Sequence, residues 1–152
     1  MAHWAAACRA SGVNRLSLGV QGMRDADLRF LGRAHAVADA VAAVRRARDA
    51  GFDNLGIDLI LGLPGHDPDI TREIITQAVK ALAPEHLSCF QLTCAPGTPL
   101  HEAVLRGDAL MPDADTEAAI FMATHQTCEA LGYAGYEVSN FARFPAFRSR
   151  HN

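Results

Sequence analysis

Lysine is almost missing from this chain. Of its 14 basic residues thirteen are Arg and one is Lys80, set against 17 acidic residues, for a formal net charge of -3. No surplus of positive charge is available to grip a phosphate backbone, which excludes nucleic acid as the expected partner. Among so many alanines, the Arg bias reads as codon composition rather than as a binding patch. Long apolar runs are missing too, so no transmembrane segment is expected. The opening Met1-Ala-His-Trp-Ala-Ala-Ala-Cys8 has no basic stretch followed by a long apolar one, so it is not expected to be a secretory signal. The expected setting is the cytoplasm, where thiols stay reduced. The four cysteines (Cys8, Cys89, Cys94 and Cys128) have the spacing of neither a zinc pair nor a three-cysteine cluster loop. They read first as small buried apolar side chains. Cys89 and Cys94, which bracket a strand end, are a secondary metal or disulfide pair.

These shortages leave the interior intact. With 49% apolar and 20% charged residues the composition is that of an ordinary globular protein. A length of 152 residues suits one domain with one sizeable core.

Strand and helix periods alternate along the chain. A short helix over 3–10 precedes a strand from Arg15 to Val20. From Val37 to Ala50, Val37, Val41 and Val44 share a helical face, and Gly51 supplies the left-handed stop. Asn54–Leu61 is a second strand, ended by Leu63-Pro-Gly65. Asp67 caps a helix that has Pro68 at its first position and Ile70, Ile74, Ala78 and Leu82 on one face, with Pro84 closing it. His86–Leu92 is a third strand, Ala95–Pro99 a turn, Asp113–Leu131 a third long helix, and Tyr133–Ser139 a fourth strand. The tail from Arg143 to Asn152 is basic and aromatic without a clear period. This order implies parallel strands joined by helical crossovers.

Two strands carry an unusual division of side chains. Leu16, Leu18 and Val20 share one face of the first, and Ser17, Gly19 and Gln21 the other. In the second, Leu55, Ile57, Leu59 and Leu61 oppose Asn54, Gly56, Asp58 and Gly62, with Ile60 the exception. A closed barrel fills its interior with branched apolar residues, whereas this parity is small or polar. A carboxylate in mid-strand is costly to bury alone. Either this face lines a lumen that holds a polar ligand, or Asp58 caps a loop or pairs with a structural Arg. Both readings stay open at this point, and the third strand, mixed on both faces, does not decide between them. The Gly62-Leu-Pro-Gly65 turn lacks the spacing and Lys of a phosphate loop and reads as a tight strand exit.

Several blocks occur in a fixed order. They are Asn14-Arg-Leu-Ser-Leu-Gly-Val-Gln21, Leu31-Gly-Arg33 with His35, Gly51-Phe-Asp-Asn-Leu-Gly-Ile-Asp-Leu-Ile-Leu-Gly-Leu-Pro-Gly65, Pro84-Glu-His-Leu-Ser-Cys-Phe-Gln-Leu-Thr93, Pro96-Gly-Thr-Pro99, and Gly132-Tyr-Ala-Gly-Tyr-Glu-Val-Ser-Asn-Phe-Ala-Arg143. In this order, from about Gly12 to Asn152, the chain resembles the radical S-adenosylmethionine (SAM) family of oxygen-independent coproporphyrinogen III oxidase-like proteins, heme chaperones of the HemW type included. The resemblance implies an α/β fold: the second half, strands four to six, of an open (β/α)6 partial TIM barrel of the radical SAM type. It divides the chain into residues 1–143, that half-barrel, and 144–152, the start of a further C-terminal region.

The resemblance also implies a SAM site at Gln21, Arg33 and Asp58, with backbone contact at Leu92. Arg33 would pair bidentately with the methionyl carboxylate. Asp58 would accept from hydroxyls or an amine, and Gln21 offers both a donor and an acceptor. The Phe90–Pro99 and Ser139–Arg143 runs, with the terminal Arg150-His-Asn152, resemble the heme-chaperone subgroup. There His151 is the implied heme ligand, and Ser149 stands where that subgroup has Cys. Heme or porphyrin is the implied partner, with respiratory heme proteins as recipients and a parent protein that can associate with membranes. The alternative within the family is an oxidase that decarboxylates coproporphyrinogen, and a degenerate reading frame without activity is a third reading. The family's three-cysteine loop and its glycine-rich strand-two motif would both lie ahead of Met1. A 4Fe–4S cluster is therefore expected of an intact parent only, and no catalytic residue or metal ligand is assigned to this chain. Half a barrel exposes strand edges, so marginal stability or aggregation of the isolated chain is expected.

Overall fold

The computed structural model describes residues 2–150. In chain order its elements are α1 (Ala2–Ala10), β1 (Leu16–Gln21), α2 (Asp25–Phe30), α3 (Val37–Asp49), β2 (Leu55–Leu61), α4 (Pro68–Leu82), β3 (His86–Gln91), α5 (Pro99–Arg106), α6 (Ala114–Ala130), β4 (Ala134–Glu137) and β5 (Asn140–Ala142). A 3-10 turn at Pro145–Phe147 follows. The strands form one open sheet in the order β1-β2-β3-β5-β4. β1, β2 and β3 are parallel neighbours, as the crossover helices α3 and α4 require.

The far edge departs from the sequence reading. The strand expected over Tyr133–Ser139 is β4, but an unexpected strand follows it: the chain reverses at Val138–Ser139, and β5 pairs antiparallel with both β3 and β4. Two reversals leave β4 running in the direction of β3, as the α6 crossover demands, with β5 inserted between them. Two further helices, α2 and α5, occupy stretches to which, apart from the turn residue Pro99, the sequence reading assigns no element.

Helices cover one face of the sheet. Leu55, Ile57, Leu59 and Leu61 of β2 are fully buried there, with Leu87 and Cys89 of β3 and Phe141 of β5. Ile74, Ile75, Ala78 and Leu82 of α4, Ile120 and Cys128 of α6, and Val44 and Ala47 of α3 complete this core. Each fully buried Leu or Ile contributes roughly 1.5–3 kcal/mol relative to exposure, so the core face fixes the strand register. A slip of one residue would place Asp58 in the core and Ile57 outside. All four cysteines are free. Cys89 points into the core toward Cys128 rather than Cys94, and the Cys128 thiol together with burial pushes its own thiol well above the usual range.

Local signals place the helix ends. Asp67 Oδ1 accepts from the Ile70 N–H at 2.8 Å, and Asp113 does the same for Thr116 at the start of α6. Gly51 follows α3 at φ 87°. Ala83, which closes α4, adopts the same left-handed region at φ 43° without glycine's freedom. An ionic knot ties three of these ends together. Arg48 Nη2 donates to both carboxylate oxygens of Glu85 at 2.9 Å and to the Ala83 carbonyl at 2.8 Å, while Nη1 reaches the Phe52 carbonyl at 3.2 Å. Glu85 Oε2 also accepts from the Leu55 N–H at 2.8 Å, where β2 begins.

Candidate functional site

The second sheet face carries the polar parity. Strand register aligns Gly19 with Asp58, Asp58 with Ser88, and Ser88 with Asn140, so four strands contribute one continuous polar row. One step toward the strand starts, Ser17, Gly56, His86 and Ala142 form a second row. This resolves the third strand, which was ambiguous in sequence. His86, Ser88 and Phe90 stand on the Asp58 face, and Leu87 and Cys89 in the core.

Asp58 is half-buried, and its Oδ1 accepts from the Ser17 hydroxyl at 3.1 Å. Among the described residues Asp58 makes no ion pair with an Arg and caps no loop. Gln21 sits at a break in the β1 register with φ 70°. That conformation is uncommon for a residue with a side chain. It folds the Gln21 amide back over Gly19, so closely that any side chain at position 19 would collide with it. Gln21 thus reaches back over Gly19, the register partner of Asp58. A Cβ at Gly56 would come within 3.1 Å of Ser17 Oγ and 3.5 Å of His86 Nδ1, so glycine keeps this row open as well. Arg15, Ser17, Asp58, His86, Ser88 and Ser149 line a cavity of about 240 Å³ over these rows.

The other residues singled out from sequence lie elsewhere. Leu92 is one residue past β3, half-buried, with its N–H bonded to the Leu61 carbonyl at 2.8 Å. Gly62, at φ 74°, lies beside that N–H, so the exits of β2 and β3 close together. Arg33 is exposed on the turn after α2, where its N–H bonds the Leu28 carbonyl. Among the described residues its guanidinium makes no hydrogen bond or ion pair, so it is not gathered into the Gln21–Asp58 group. His151 lies outside the described residues.

Sequence reasoning missed a buried pair at the strand exits. His66, just beyond the Gly62–Gly65 turn, and Asp27 of α2 are 4% and 6% exposed, with Nε2 and Oδ2 3.3 Å apart. Burial lowers the His66 pKa from its ordinary value, and the Asp27 carboxylate pulls the other way without reversing the shift. The pair ties the β1 exit to the β2 exit. The signal was a polar residue directly after a strand-exit turn, a position that in α/β barrels faces the functional end. Glu137 is likewise held below the usual carboxylate range, by the Asn140 amide at 2.7 Å and by the backbone N–H groups of Val138 and Ser139.

Residues 1–78 match the family model described as the radical SAM superfamily. The chain belongs to the radical SAM superfamily. The chain is 40% identical over 149 residues to the mitochondrial radical S-adenosyl methionine domain-containing protein 1 of Mus musculus, covering 97% of this chain and 33% of that protein. It is 36% identical over 144 residues to the heme chaperone HemW of Bacillus subtilis, covering 95% and 38%. Among solved structures, coproporphyrinogen III oxidase (HemN) from Escherichia coli, a radical SAM enzyme, superposes with a TM-score of 0.77 at 27% identity, covering 94% of this chain and 32% of that one. The family is thus HemW/HemN-like, and the sheet is the open α/β sheet of a radical SAM protein. The chain spans about a third of the length of these relatives. No helix among the described residues is long and apolar enough to cross a membrane.

Membership of this superfamily implies SAM and a 4Fe–4S cluster in a complete protein. The residues here fit the two groups differently. A glycine-cleared row bearing a carboxylate, an amide and hydroxyls suits the mixed donors and acceptors of SAM. For a cluster, no group of three or more His, Cys, Asp or Glu is placed to hold a metal ion among the described residues.

Proposed function

We propose that this chain contributes part of the SAM pocket of a heme-chaperone-type radical SAM protein, and that the parent delivers heme. The observation that supports this most is the Gly19–Asp58–Ser88–Asn140 row, a polar stripe on a sheet face where a filled barrel would be apolar. In this reading Asp58 accepts hydrogen bonds from ribose hydroxyls or the amine of SAM, and Gln21 makes a donor and an acceptor contact beside it. The Leu92 backbone meets the ligand at the strand exit. Arg33, on its exposed turn, swings in to pair with the methionyl carboxylate. Bound beside a reduced cluster, SAM supplies radical chemistry. That cluster belongs to the parent, and no step is assigned to it in this chain. His151 is the proposed heme ligand, residues 144–152 begin the region that carries it, and porphyrin-bearing proteins are the recipients.

Equilibrium dialysis with labelled SAM tests the first part. The chain is expected to bind SAM weakly, and Asp58→Asn to weaken binding about ten- to a hundredfold, the loss of one or two charge-assisted hydrogen bonds. Equal binding by both would refute it. Titration with hemin tests the second part, with His151→Ala losing the Soret shift. The likeness to HemN favours one competing reading, an oxidase. Anaerobic turnover of coproporphyrinogen by the parent would establish that reading in place of the chaperone.

A further inference from the structure

Helix α2 has a residue of the proposed SAM site beyond each end. Gln21 lies just before its first residue, Asp25, and Arg33 just after its last, Phe30. The Arg33 N–H is bonded to the Leu28 carbonyl at 2.9 Å, so the turn that bears Arg33 moves with the helix. At the other end Gly22 is buried, and a Cβ there would come within 3.5 Å of Asp27 Cβ and 3.9 Å of Leu28 Cδ2. Helix α2 thus packs directly on the backbone beside Gln21. Six residues make too short a helix to hold a position unaided. Leu28, 1% exposed, gives it an apolar grip, which has no direction of its own.

Asp27 supplies the direction. Its Oδ2 lies 3.3 Å from His66 Nε2 and 3.7 Å from Arg24 Nε. Asp27 and His66 are both more than nine-tenths buried. His66 Nδ1 makes no hydrogen bond among the described residues, so the Asp27 contact is what fixes the ring. Arg24 and Asp67 are the other charged groups that act on it. Asp67 is engaged in capping α4, and the Arg24 side chain is exposed. His66 follows the exit of β2, the strand that carries Asp58. One buried contact therefore links the helix between Gln21 and Arg33 to the strand of Asp58.

We propose that Asp27 and His66 are positioning residues for the SAM pocket: their contact sets α2, and with it Gln21 and Arg33, against Asp58. The proposal rests on the SAM reading above. Neither residue touches the ligand, and both act through the placement of Gln21 and Arg33.

Equilibrium dialysis with labelled SAM, well below Tm, reads the positioning in the folded chain. Asp27→Ala is expected to weaken SAM binding about three- to tenfold, the worth of one ordinary hydrogen bond. Asp27→Asn, whose side chain can still donate to the ring or accept from it, is expected to recover most of that loss. A purely structural contact would lower Tm in Asp27→Ala and leave the affinity of the folded chain unchanged, and that result overturns the proposal. The Asp27→Ala penalty is also expected to shrink in a Gln21→Ala background, and penalties that simply add overturn the route through Gln21. His66→Leu breaks the contact from the other side and serves if Asp27→Ala does not fold. Hydrogen exchange over 22–33 is expected to quicken in either variant, and unchanged exchange there overturns the anchor. A wild-type chain that does not bind SAM, or a Gln21→Ala variant that binds it as tightly as wild type, sinks the SAM reading and the positioning with it. Exchange still decides in that case whether the pair anchors α2.

Discussion

Replacing Arg48 by Ala isolates what holds the buried end of this sheet. Arg48 makes two hydrogen bonds to the Glu85 carboxylate and one each to the carbonyls of Ala83 and Phe52. The side chains of Arg48 and Glu85 are 31% and 17% exposed. The pair is thus neither a free surface bridge nor a dry one. Hydrogen bonds to charged groups contribute about 1.5–3 kcal/mol, and partial solvent access discounts the Coulomb part, so a loss of about 2 kcal/mol is expected for Arg48→Ala. For a chain of this length that lowers Tm by about 4–8 °C. Glu85→Ala removes the same pair and also the acceptor of the Leu55 N–H, at a residue fully buried at the start of β2, so it costs at least as much. Because the two share their bonds, the double variant should fall short of the sum of the singles by about 1 kcal/mol or more. Thermal and urea unfolding of the four proteins measures this. Single-variant losses that simply add would show that the knot is not a cooperative unit, and the reasoning would fail.

Other variants separate fold from function. Asp58→Asn keeps an Oδ1 that can accept from the Ser17 hydroxyl and removes only the charge, so its stability should change by no more than about 1 kcal/mol while SAM binding falls. Differential scanning calorimetry beside dialysis distinguishes this from a structural aspartate, whose loss would unfold the chain. Ala83→Gly relieves a left-handed residue at the end of α4 and should stabilise by about 1 kcal/mol, raising Tm by about 2–4 °C. A lower Tm would contradict the backbone argument. His66 is neutral in the fold because burial depresses its pKa. The unfolded chain therefore binds the extra proton first, and the His66 contribution, intact above the ordinary histidine value of about 6.5, is lost as pH falls below it toward the folded value. His66→Gln should flatten Tm against pH in that window. An unchanged slope would place the titration elsewhere.

What could be read from sequence follows from what periodicity encodes. The β1 and β2 parities are visible because one face of each packs on helices while the other stays polar, and the structure keeps both assignments. β3 was illegible because His86 and Ser88 are buried too, beneath Tyr136 and the returning tail, so burial no longer tracks parity. Beyond Pro99, read as the end of a turn, α5 has no element assigned from sequence although its signals are present. Thr98 caps it through the His101 N–H, Pro99 opens it, and Gly107 closes it at φ 79°. At eight residues, with none of them buried, it is too short for its Leu100, Ala103 and Val104 stripe to announce a helix. β5 is not legible in the sequence because the reversal at Val138–Ser139 that precedes it uses neither glycine nor proline. Of the candidate site, Gln21 and Asp58 are singled out by parity and resemblance together. The Asp27–His66 pair was missed because its members lie 39 positions apart on elements whose approach only the fold sets.

The central claim is that the Gly19–Asp58 row faces SAM. Hydrogen exchange of the chain with and without saturating SAM tests it most directly. The account expects slower exchange confined to the amides around Gln21, Asp58–Gly62 and Leu92. Protection elsewhere, or none at those three strand exits in a chain that dialysis shows to bind SAM, would contradict it.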